Sequence, residues 1–329
     1  MSSTKGGRPL DSKKPFEYVL ITPARNEQTN IERTMKCVVA QTHLPKRWVI
    51  VNDGSTDSTG DIVNKYAREY TWIERLDMPA HRDRSFAAKA HCFNHGYESV
   101  RHLSFEVIGN LDADLSFERD YLEFLIGKFA EQPGLGVAGT VFREPGYDSG
   151  RDSFEGESHV AGGCQLFRRQ CFEDVGGYVP NHAGGVDWIA VTTARMRGWE
   201  TRSFRERFFF HHRPLGTAES SGLAALFAYG EKDYYLGNHP LWQAFRFGYR
   251  LVKKPVVTGS FALAAGYISS VFRRVDRAIS PELMQFHRRE QMKKLRKIVA
   301  GAIRLRRIDN FHLQSPKRSE GSRGAGNRT

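Results

Sequence analysis

Two aspartates follow an apolar run near the middle of this chain of 329 residues. Asp112 and Asp114 come directly after residues 107–111, and alternate residues of an extended chain point to the same side. Carboxylates that share one face repel each other unless a cation lies between them. A divalent metal ion meets this need and also neutralises a bound diphosphate. The pair therefore predicts a metal and diphosphate site, although two acids after a strand are often only a solvated loop.

Two more polar segments follow apolar runs that are typical of strands. Residues 22–27 read Thr-Pro-Ala-Arg-Asn-Glu, and residues 52–57 read Asn-Asp-Gly-Ser-Thr-Asp. In an open parallel sheet, ligands bind outside the carboxyl ends of the strands. We therefore expect three strand ends to supply one crevice. A turn at Asp53 and Gly54, with helix capping by the residues that follow, is the structural alternative.

The elements that must position these side chains follow from the spacing of apolar residues. Residues 16–140 alternate short β-rich runs with amphipathic helical patterns, which is typical of β-α-β units in a parallel sheet. Thr29 and Glu32 have the spacing of a capping box for the first helix, and residues 55–58 are expected to cap the second. The predicted strands are 18–22, 48–52, 105–111 and 135–142, and further predicted helices are 86–100, 121–130 and 186–196.

The order of three motifs carries a resemblance to a known family. Pro-Ala-Arg-Asn-Glu at 23–27, the 52–57 segment and Asp-Ala-Asp at 112–114 together resemble the nucleotide-sugar-binding half of family-2 glycosyltransferases. The likeness covers about residues 16–215. It implies an α/β GT-A fold, with a Rossmann-like, mostly parallel sheet flanked by helices. It also implies inverting transfer from a nucleotide-diphosphate sugar, with UDP preferred, to a hydroxyl or lipid-linked acceptor in polysaccharide or glycolipid synthesis.

The same resemblance assigns roles on the donor side, with Mg²⁺ or Mn²⁺ as the cofactor. Asp53 would accept a hydrogen bond from the base, Asp112 would face the ribose and the metal, and Asp114 would be the principal metal ligand. Lys89 would contact the diphosphate, with Arg82 and Arg84 as weaker candidates and a solvated helix lysine as the alternative. The residues expected to line the nucleoside pocket are Pro23, Ala24, Arg25 and Glu27.

The glycine-rich segments 161–164 and 176–178 resemble the acceptor side of the family. They precede Gly-Gly-Val-Asp at 184–187. By that likeness Asp187 would be the general base that deprotonates the acceptor hydroxyl. Val186 stands where inverting members of the family carry a preceding acid. Capping of the helix that begins here is the structural alternative for Asp187.

A histidine after the strand-like run 208–210 would complete the metal shell, as in many GT-A enzymes. Alternation places one of His211 and His212 inward and the other outward. We expect His212 to be the metal ligand, with a surface histidine as the alternative. Arg213 would contact phosphate or solvent.

Processive members of the family carry Gln-x-x-Arg-Trp after the base, whereas residues 195–199 read Arg-Met-Arg-Gly-Trp. Together with the lack of a long multi-span membrane region, this predicts transfer of a single sugar. Nucleotidyl transfer to a sugar phosphate is an alternative, but it expects a glycine-rich loop after the first strand, and residues 23–26 contain no glycine. A non-catalytic GT-A adaptor is another.

The net charge of +12 is concentrated at one end of the chain. Residues 271–329 hold 16 basic and 5 acidic side chains, a net charge of +11, which leaves residues 1–270 close to neutral. The uncharged run 255–272 is slightly short for a bilayer and is bracketed by basic pairs, so it is expected to be a monotopic membrane contact or docking hairpin. The expected location is the cytoplasmic face of an anionic membrane, to which the protein binds peripherally. Nucleic acid is the competing partner, and it is not expected because the rest of the chain is balanced in charge and has no nucleic-acid-binding signature. A buried helix with a basic tail is the structural alternative.

The composition, with 40% hydrophobic and 26% charged residues, excludes a wholly disordered chain. The four cysteines form no Cys-x-x-Cys pair, so the sequence indicates neither a zinc site nor a disulfide framework. The expected compartment is the reducing cytosol. The expected divisions are a disordered arm at 1–15, a catalytic domain at 16–215, a helical extension at 216–313 and a disordered tail at 314–329. Within the catalytic domain, 16–142 is the nucleotide-sugar half and 143–215 the acceptor half.

Overall fold

The computed structural model of the chain describes residues 15–79, 86–153, 155–181, 184–213, 222–251 and 257–304. The strands are β1 Tyr18–Ala24, β2 Arg47–Asn52, β3 Ile73–Asp77, β4 Val107–Leu111, β5 Leu115–Ser116, β6 Leu135–Glu144, β7 Tyr147–Asp148, β8 Cys164–Arg168 and β9 Glu200–His211. The helices are α1 Ile31–Val39, α2 Thr59–Glu69, α3 Phe86–Val100, α4 Tyr121–Glu131, α5 Ser149–Asp152, α6 Arg169–Asp174, α7 Val186–Met196, α8 Leu223–Tyr235, α9 Pro240–Arg250, α10 Thr258–Phe272 and α11 Pro281–Ile303.

Several predicted sites lie outside the described residues. These are Arg82, Arg84, the tail at 314–329, and the predicted arm apart from Pro15. The basic pair at 253–254, which begins the predicted bracket around the uncharged run, lies outside them as well.

The strands form one sheet in the order β3-β2-β1-β4-β8-β6-β9-β5, with β7 paired to β6. The predicted parallel unit is confirmed for β2, β1 and β4, β3 extends it as a parallel strand that the sequence analysis did not predict, and β6 is parallel to β9. However, β8 runs antiparallel to both β4 and β6, so the sheet is mixed rather than mostly parallel. Because β8 starts at the edge where β4 and β6 end, the glycine-rich segment before it stays beside the carboxyl ends of the strands.

Both faces of the sheet are covered by helices, which explains why β1 is an unbroken apolar run. Tyr18 and Leu20 point into one apolar cluster, together with residues of α1, α2 and α4. Val19 and Ile21 point into a second cluster on the opposite face, together with residues of α3, α6 and α7. Alternation along a single strand therefore anchors both helical layers, and it leaves only the strand ends open to a ligand.

The first helix begins one residue later than the predicted capping box requires. Asn30, and not Thr29, is the residue before α1, and its side chain makes no capping hydrogen bond. The carbonyl of Glu27 accepts the N–H groups of both Asn30 and Ile31 at 2.9 Å, so a backbone turn occupies the place of the side-chain cap. The capping-box prediction is wrong for this reason.

The uncharged run forms α10, which crosses α8 at very close range. A Cβ atom added to Gly266 would lie 2.0 Å from the carbonyl oxygen of Phe227, and one added to Gly230 would lie 2.1 Å from that of Leu263. The two glycines therefore let the helix backbones touch. Across the described residues, no helix combines the length and the apolar character that crossing a bilayer would need.

The crossing predicts a strong effect of one methyl group. We expect Gly266→Ala to lower the free energy of unfolding by about 1–3 kcal/mol, because the backbones must separate to admit it. Gly127→Ala in α4 is the matched control, because a Cβ there has no neighbour within 4 Å. The control should raise the free energy of unfolding by up to about 1 kcal/mol through helix propensity. Denaturant titration measures both, and a Gly266→Ala protein as stable as the control would contradict the close crossing.

Candidate active site

The loops after β1 and β2 are joined by hydrogen bonds between side chains and backbone. The backbone N–H of Asn26 donates to Ser55 Oγ at 3.0 Å, and Asn26 Oδ1 accepts the N–H of Thr56 at 2.8 Å. Asn26 has a left-handed backbone (φ 54°), a conformation that asparagine tolerates better than most residues. These bonds hold the first two predicted polar segments together at one sheet edge.

Four of the residues expected around the nucleoside lie together at this edge. Pro23 and Ala24 end β1, and the carbonyl of Ala24 accepts the N–H of Asp53 at 2.8 Å. Arg25 lies 3.6 Å from the buried carboxylate of Asp53. Beside it, burial raises the pKa of the Cys92 thiol, and the Asp53 carboxylate adds to that shift. The nucleoside-binding role of these residues stays a prediction.

Asp112 and Asp114 are held by a turn that α1 clamps. The hydroxyl of Thr34, which is fully buried, donates to the carbonyls of Ala113 and Leu115 at 2.8 and 2.9 Å and accepts the N–H of Leu115 at 3.0 Å. The N–H of Asp112 donates to the carbonyl of Gly163 at 2.8 Å. The turn is therefore fixed on two sides, and the two carboxylates have little freedom to separate.

The histidine beside the aspartates is His211, which corrects the expectation for His212. Antiparallel pairing places His211 opposite Leu115, and its Nε2 lies 3.4 Å from Asp114 Oδ1. His212 points the other way, and its Nε2 lies 2.8 Å from Ser116 Oγ. The flanking residues 208–210 are all phenylalanine, so the sequence pattern could not decide which histidine faces inward.

Asp112, Asp114 and His211 could hold a divalent metal ion. One ligand atom from each side chain lies within 4.8 Å of the others. Two carboxylates and an imidazole suit Mn²⁺ or Mg²⁺ as donors. On the far side of the ring, His211 Nδ1 lies 3.4 Å from Glu144 Oε1 without forming a hydrogen bond.

Cations balance this acidic cluster in the described structure. Lys89 Nζ lies 2.6 Å from Asp112 Oδ1, and Arg213 pairs with Glu27 while lying 3.9 Å from Asp114. Burial would lower the pKa of Lys89, but Asp112 and the other acids hold it above its usual value. Burial and the charge of Asp112 raise the pKa of Asp114. Lys89 and Arg213 therefore lie where a diphosphate beside the metal would need positive charge.

Asp187 lies beside the backbone of Gly162. It is in the first turn of α7, whose cap residue is Gly185, so Asp187 is not the cap that the structural alternative proposed. Its Oδ2 lies 2.7 Å from the place a Cβ on Gly162 would take, so only glycine admits the carboxylate here. The Gly162 carbonyl accepts from Asn110 Nδ2 at 2.5 Å, and that amide also donates to Asp112 at 3.2 Å.

Three cations act on Asp187. Burial would raise its pKa, but Lys232, His159 and Lys89 outweigh burial and hold the pKa below its usual value. A Cβ atom added to Gly185 would lie 3.3 Å from Lys232 Cε, so Lys232 lies close to the start of α7. Sequence analysis missed Lys232 and His159, because neither belongs to a motif and each comes from a segment distant in the chain.

Arg195 and Trp199 form hydrogen bonds with neighbouring elements. Arg195 Nε donates to Glu290 of α11 at 2.9 Å and Arg195 Nη1 donates to the carbonyl of Ser158 at 2.9 Å. Trp199 Nε1 donates to Asp174 at 2.9 Å. The arginine and the tryptophan of this segment therefore join α7 to neighbouring elements.

The two histidines can be separated by metal titration. We expect His211→Ala to weaken Mn²⁺ binding by about tenfold or more, because even residues outside the ligand shell have effects of that size. His212→Ala removes a hydrogen bond to Ser116 and should leave Mn²⁺ affinity unchanged. Isothermal titration calorimetry measures both affinities, and the reverse ranking would restore His212 as the ligand.

Comparison with known proteins finds similarity to one family over part of the chain and a shared fold over most of it. Residues 19–153 match the model of glycosyl transferase family 2. The poly-beta-1,6-N-acetyl-D-glucosamine synthase of Staphylococcus epidermidis is 28% identical over 139 residues, which are 38% of this chain and 32% of that enzyme. The enzyme of the same name from Staphylococcus aureus strain COL is 31% identical over 112 residues, which are 34% of this chain and 25% of that enzyme. The chain thus matches a third or less of the length of these relatives.

Two solved structures share the fold over most of both chains. The mannosyltransferase PcManGT from Pyrobaculum calidifontis, in complex with GDP-Man and Mn²⁺, has 19% identity and a TM-score of 0.54 over 90% of this chain and 81% of that one. TarS 1–349 from S. aureus, in complex with UDP-GlcNAc, has 14% identity and a TM-score of 0.54 over 90% and 89%. The chain has the GT-A fold, and its residues 19–153 are similar to glycosyl transferase family 2.

Proposed function

We propose that the protein transfers a sugar from a nucleotide-diphosphate sugar to a hydroxyl of a sugar or lipid-linked acceptor, in polysaccharide or glycolipid synthesis. The observation that supports this proposal is the placement of Asp187 against Gly162, whose carbonyl accepts a hydrogen bond from the Asn110 amide that also donates to Asp112 of the Asp112, Asp114 and His211 cluster. A base and a charged leaving group need to lie on opposite sides of the reacting carbon. A UDP-sugar is the preferred donor, supported by the TarS complex with UDP-GlcNAc.

In the proposed reaction, the oxygen of the acceptor hydroxyl forms a bond to the anomeric carbon of the donor sugar, and Asp187 accepts the proton of that hydroxyl. The bond from that carbon to the diphosphate breaks, and the diphosphate leaves with the electron pair, which inverts the configuration. Lys89 and Arg213 stabilise the charge that develops on the diphosphate. Asp112, Asp114 and His211 would hold Mg²⁺ or Mn²⁺, which supplies further positive charge at the leaving group.

The remaining donor contacts extend the proposal. Arg25 and Asp53 would bind the base, with Pro23, Ala24 and Glu27 completing the nucleoside pocket. We further propose that transfer stops after one sugar, because Arg195 and Trp199 are engaged with Glu290 and Asp174 rather than with the crevice.

The proposal includes a place of action, an anionic membrane surface. Support comes from the net charge of +11 in residues 271–329 beside a nearly neutral remainder. Nucleic acid is the other anionic partner that such an end could bind. Retention on a heparin column without binding to anionic vesicles would favour nucleic acid.

Replacement of the base tests the reaction. We expect Asp187→Asn to slow transfer by about 10²–10⁴-fold, the contribution of a positioned general base, and to leave donor affinity unchanged. Asp114→Ala should abolish both metal-dependent donor binding and donor hydrolysis. Asp61→Ala on the exposed face of α2 is the matched control and should behave as the unchanged protein.

These variants are to be assayed with a panel of UDP- and GDP-sugars and with Mg²⁺ or Mn²⁺. Pyrophosphate release from a nucleoside triphosphate would instead favour nucleotidyl transfer. Nucleotide binding without turnover, unaffected by Asp187→Asn, would favour the non-catalytic adaptor.

The charge of Lys232 predicts a change in the pH profile. Asp187 must be ionised to accept a proton, and Lys232 helps to hold its pKa low, so activity is lost only at low pH. In Lys232→Met the pKa of Asp187 should rise, and the acidic limb of kcat/KM should move to higher pH. Lys232→Arg should keep the original limb, as should Lys65→Met on exposed α2. An unmoved limb in Lys232→Met would show that Lys232 does not act on the base.

A further inference from the structure

Helix α10 exposes bulky apolar side chains to solvent, whereas an ordinary surface helix buries them. Its face toward the protein is rich in small residues, including Gly259, Ser260, Gly266 and Ser270. Leu263 and Tyr267 are also buried there, but the outer face carries further bulky apolar side chains, and Phe261 and Phe272 are 68% and 82% exposed. Surface helices of monomeric proteins normally bury such residues. This outer face therefore has the character of a contact surface.

The exposed apolar residues form a continuous row. Phe261, Ala265, Ile268 and Phe272 are all exposed and recur at steps of four, three and four, which places them on one side of the helix. We call these four residues the α10 stripe. It extends for about 16 Å along the helix axis. From Thr258 to Phe272 the helix contains no charged residue, so the stripe is uninterrupted along its length.

Positive charge lies at one end of the stripe and along the next helix. Arg273 and Arg274 follow Phe272 directly, and both are exposed. On α11 the exposed basic residues recur at helical spacing: Arg289, Lys293, Arg296 and Lys297. An apolar row that ends in the exposed Arg273 and Arg274 matches the headgroup region of an anionic bilayer, where acyl chains lie beneath phosphate groups. A second copy of the chain would bring like charges together at this surface.

The close crossing with α8 determines how such a helix can meet a membrane. The backbones touch at Gly266 and Gly230, so α10 cannot leave its partner helix without breaking that contact. Three residues beyond Gly230, α8 is anchored through buried Asp233, which pairs with Arg246 and accepts from Gln243 at 2.9 Å. α10 is thus held flat against the protein with both ends of its stripe exposed.

We propose that the α10 stripe lies in the headgroup region of an anionic bilayer, with the helix axis parallel to the membrane surface. This inference rests on the membrane location included in the proposed function and names the surface that makes the contact. The four stripe residues supply the apolar contact, and Arg273 and Arg274 select anionic lipid. The helix lies on the bilayer and does not span it.

Vesicle flotation of the full chain tests this assignment. With phosphatidylcholine vesicles containing phosphatidylglycerol, the unchanged protein should float, and with phosphatidylcholine alone it should stay in the load fraction. Phe261→Gln combined with Phe272→Gln should weaken binding to the anionic vesicles by about tenfold or more, because both apolar contacts are lost. Arg273→Gln combined with Arg274→Gln should reduce the preference for anionic lipid. Leu44→Gln combined with Val179→Gln is the matched control, because both residues are exposed and lie outside the helical extension.

The single variants test the orientation of the helix. A flat helix predicts that Phe261→Gln and Phe272→Gln each cause a similar loss, whereas insertion from one end predicts a loss from only one. Full binding by the double phenylalanine variant would overturn the proposal. So would a loss of dimer in light scattering while vesicle binding is kept, since that result assigns the stripe to a second copy.

Nucleotide binding measured without vesicles separates this proposal from the proposed reaction. A double phenylalanine variant that binds UDP normally but no longer floats supports the membrane contact and shows that the variant is folded. Failure of every nucleotide to bind the unchanged protein would remove the proposed reaction and leave the flotation result standing.

Discussion

Asp112 and Asp114 carry like charges at a strand end where burial removes much of the water that would screen them, so their repulsion has to be balanced by cations. The balancing groups come from separate parts of the chain: Lys89 from α3 and Arg213 from the residues just after β9. The fold must therefore bring these segments to one edge of the sheet. A divalent cation would meet the same electrostatic need and would also attract a diphosphate, which is why this edge suits the proposed donor.

The two halves of the site are joined by a short series of contacts. Asn110 donates both to Asp112 and to the carbonyl of Gly162, and the side chain of Asp187 packs against the Cα of the same glycine. A displacement of Asp112 would therefore also change the position of Asp187. The helical extension reaches the same place, because Lys232 of α8 approaches the start of α7. The extension is consequently part of the environment of the base as well as the carrier of the basic charge.

The sequence was most informative where local pattern and tertiary packing agree. The ends of α3 and α7 and the meeting of three strand ends were predicted, because apolar spacing and strand polarity determine them. The choice of His211 over His212 depended on pairing with the two-residue strand β5, which is too short to give a pattern. The direction of β8 and the approach of Lys232 arise from contacts between distant segments, which no local motif encodes. The capping box failed because the carbonyl of Glu27 fills that place.

The central claim is that one edge of the sheet binds a divalent cation and the diphosphate of the donor together. Its most direct test is calorimetric titration of Mn²⁺ into the protein with and without saturating UDP. Mn²⁺ and the diphosphate of UDP would bind next to each other beside Asp112, Asp114 and Lys89, and their opposite charges attract. Each should therefore tighten the binding of the other by the same factor. A Mn²⁺ affinity that increases about tenfold or more with UDP agrees with the account. A Mn²⁺ affinity that is the same with and without UDP would contradict it.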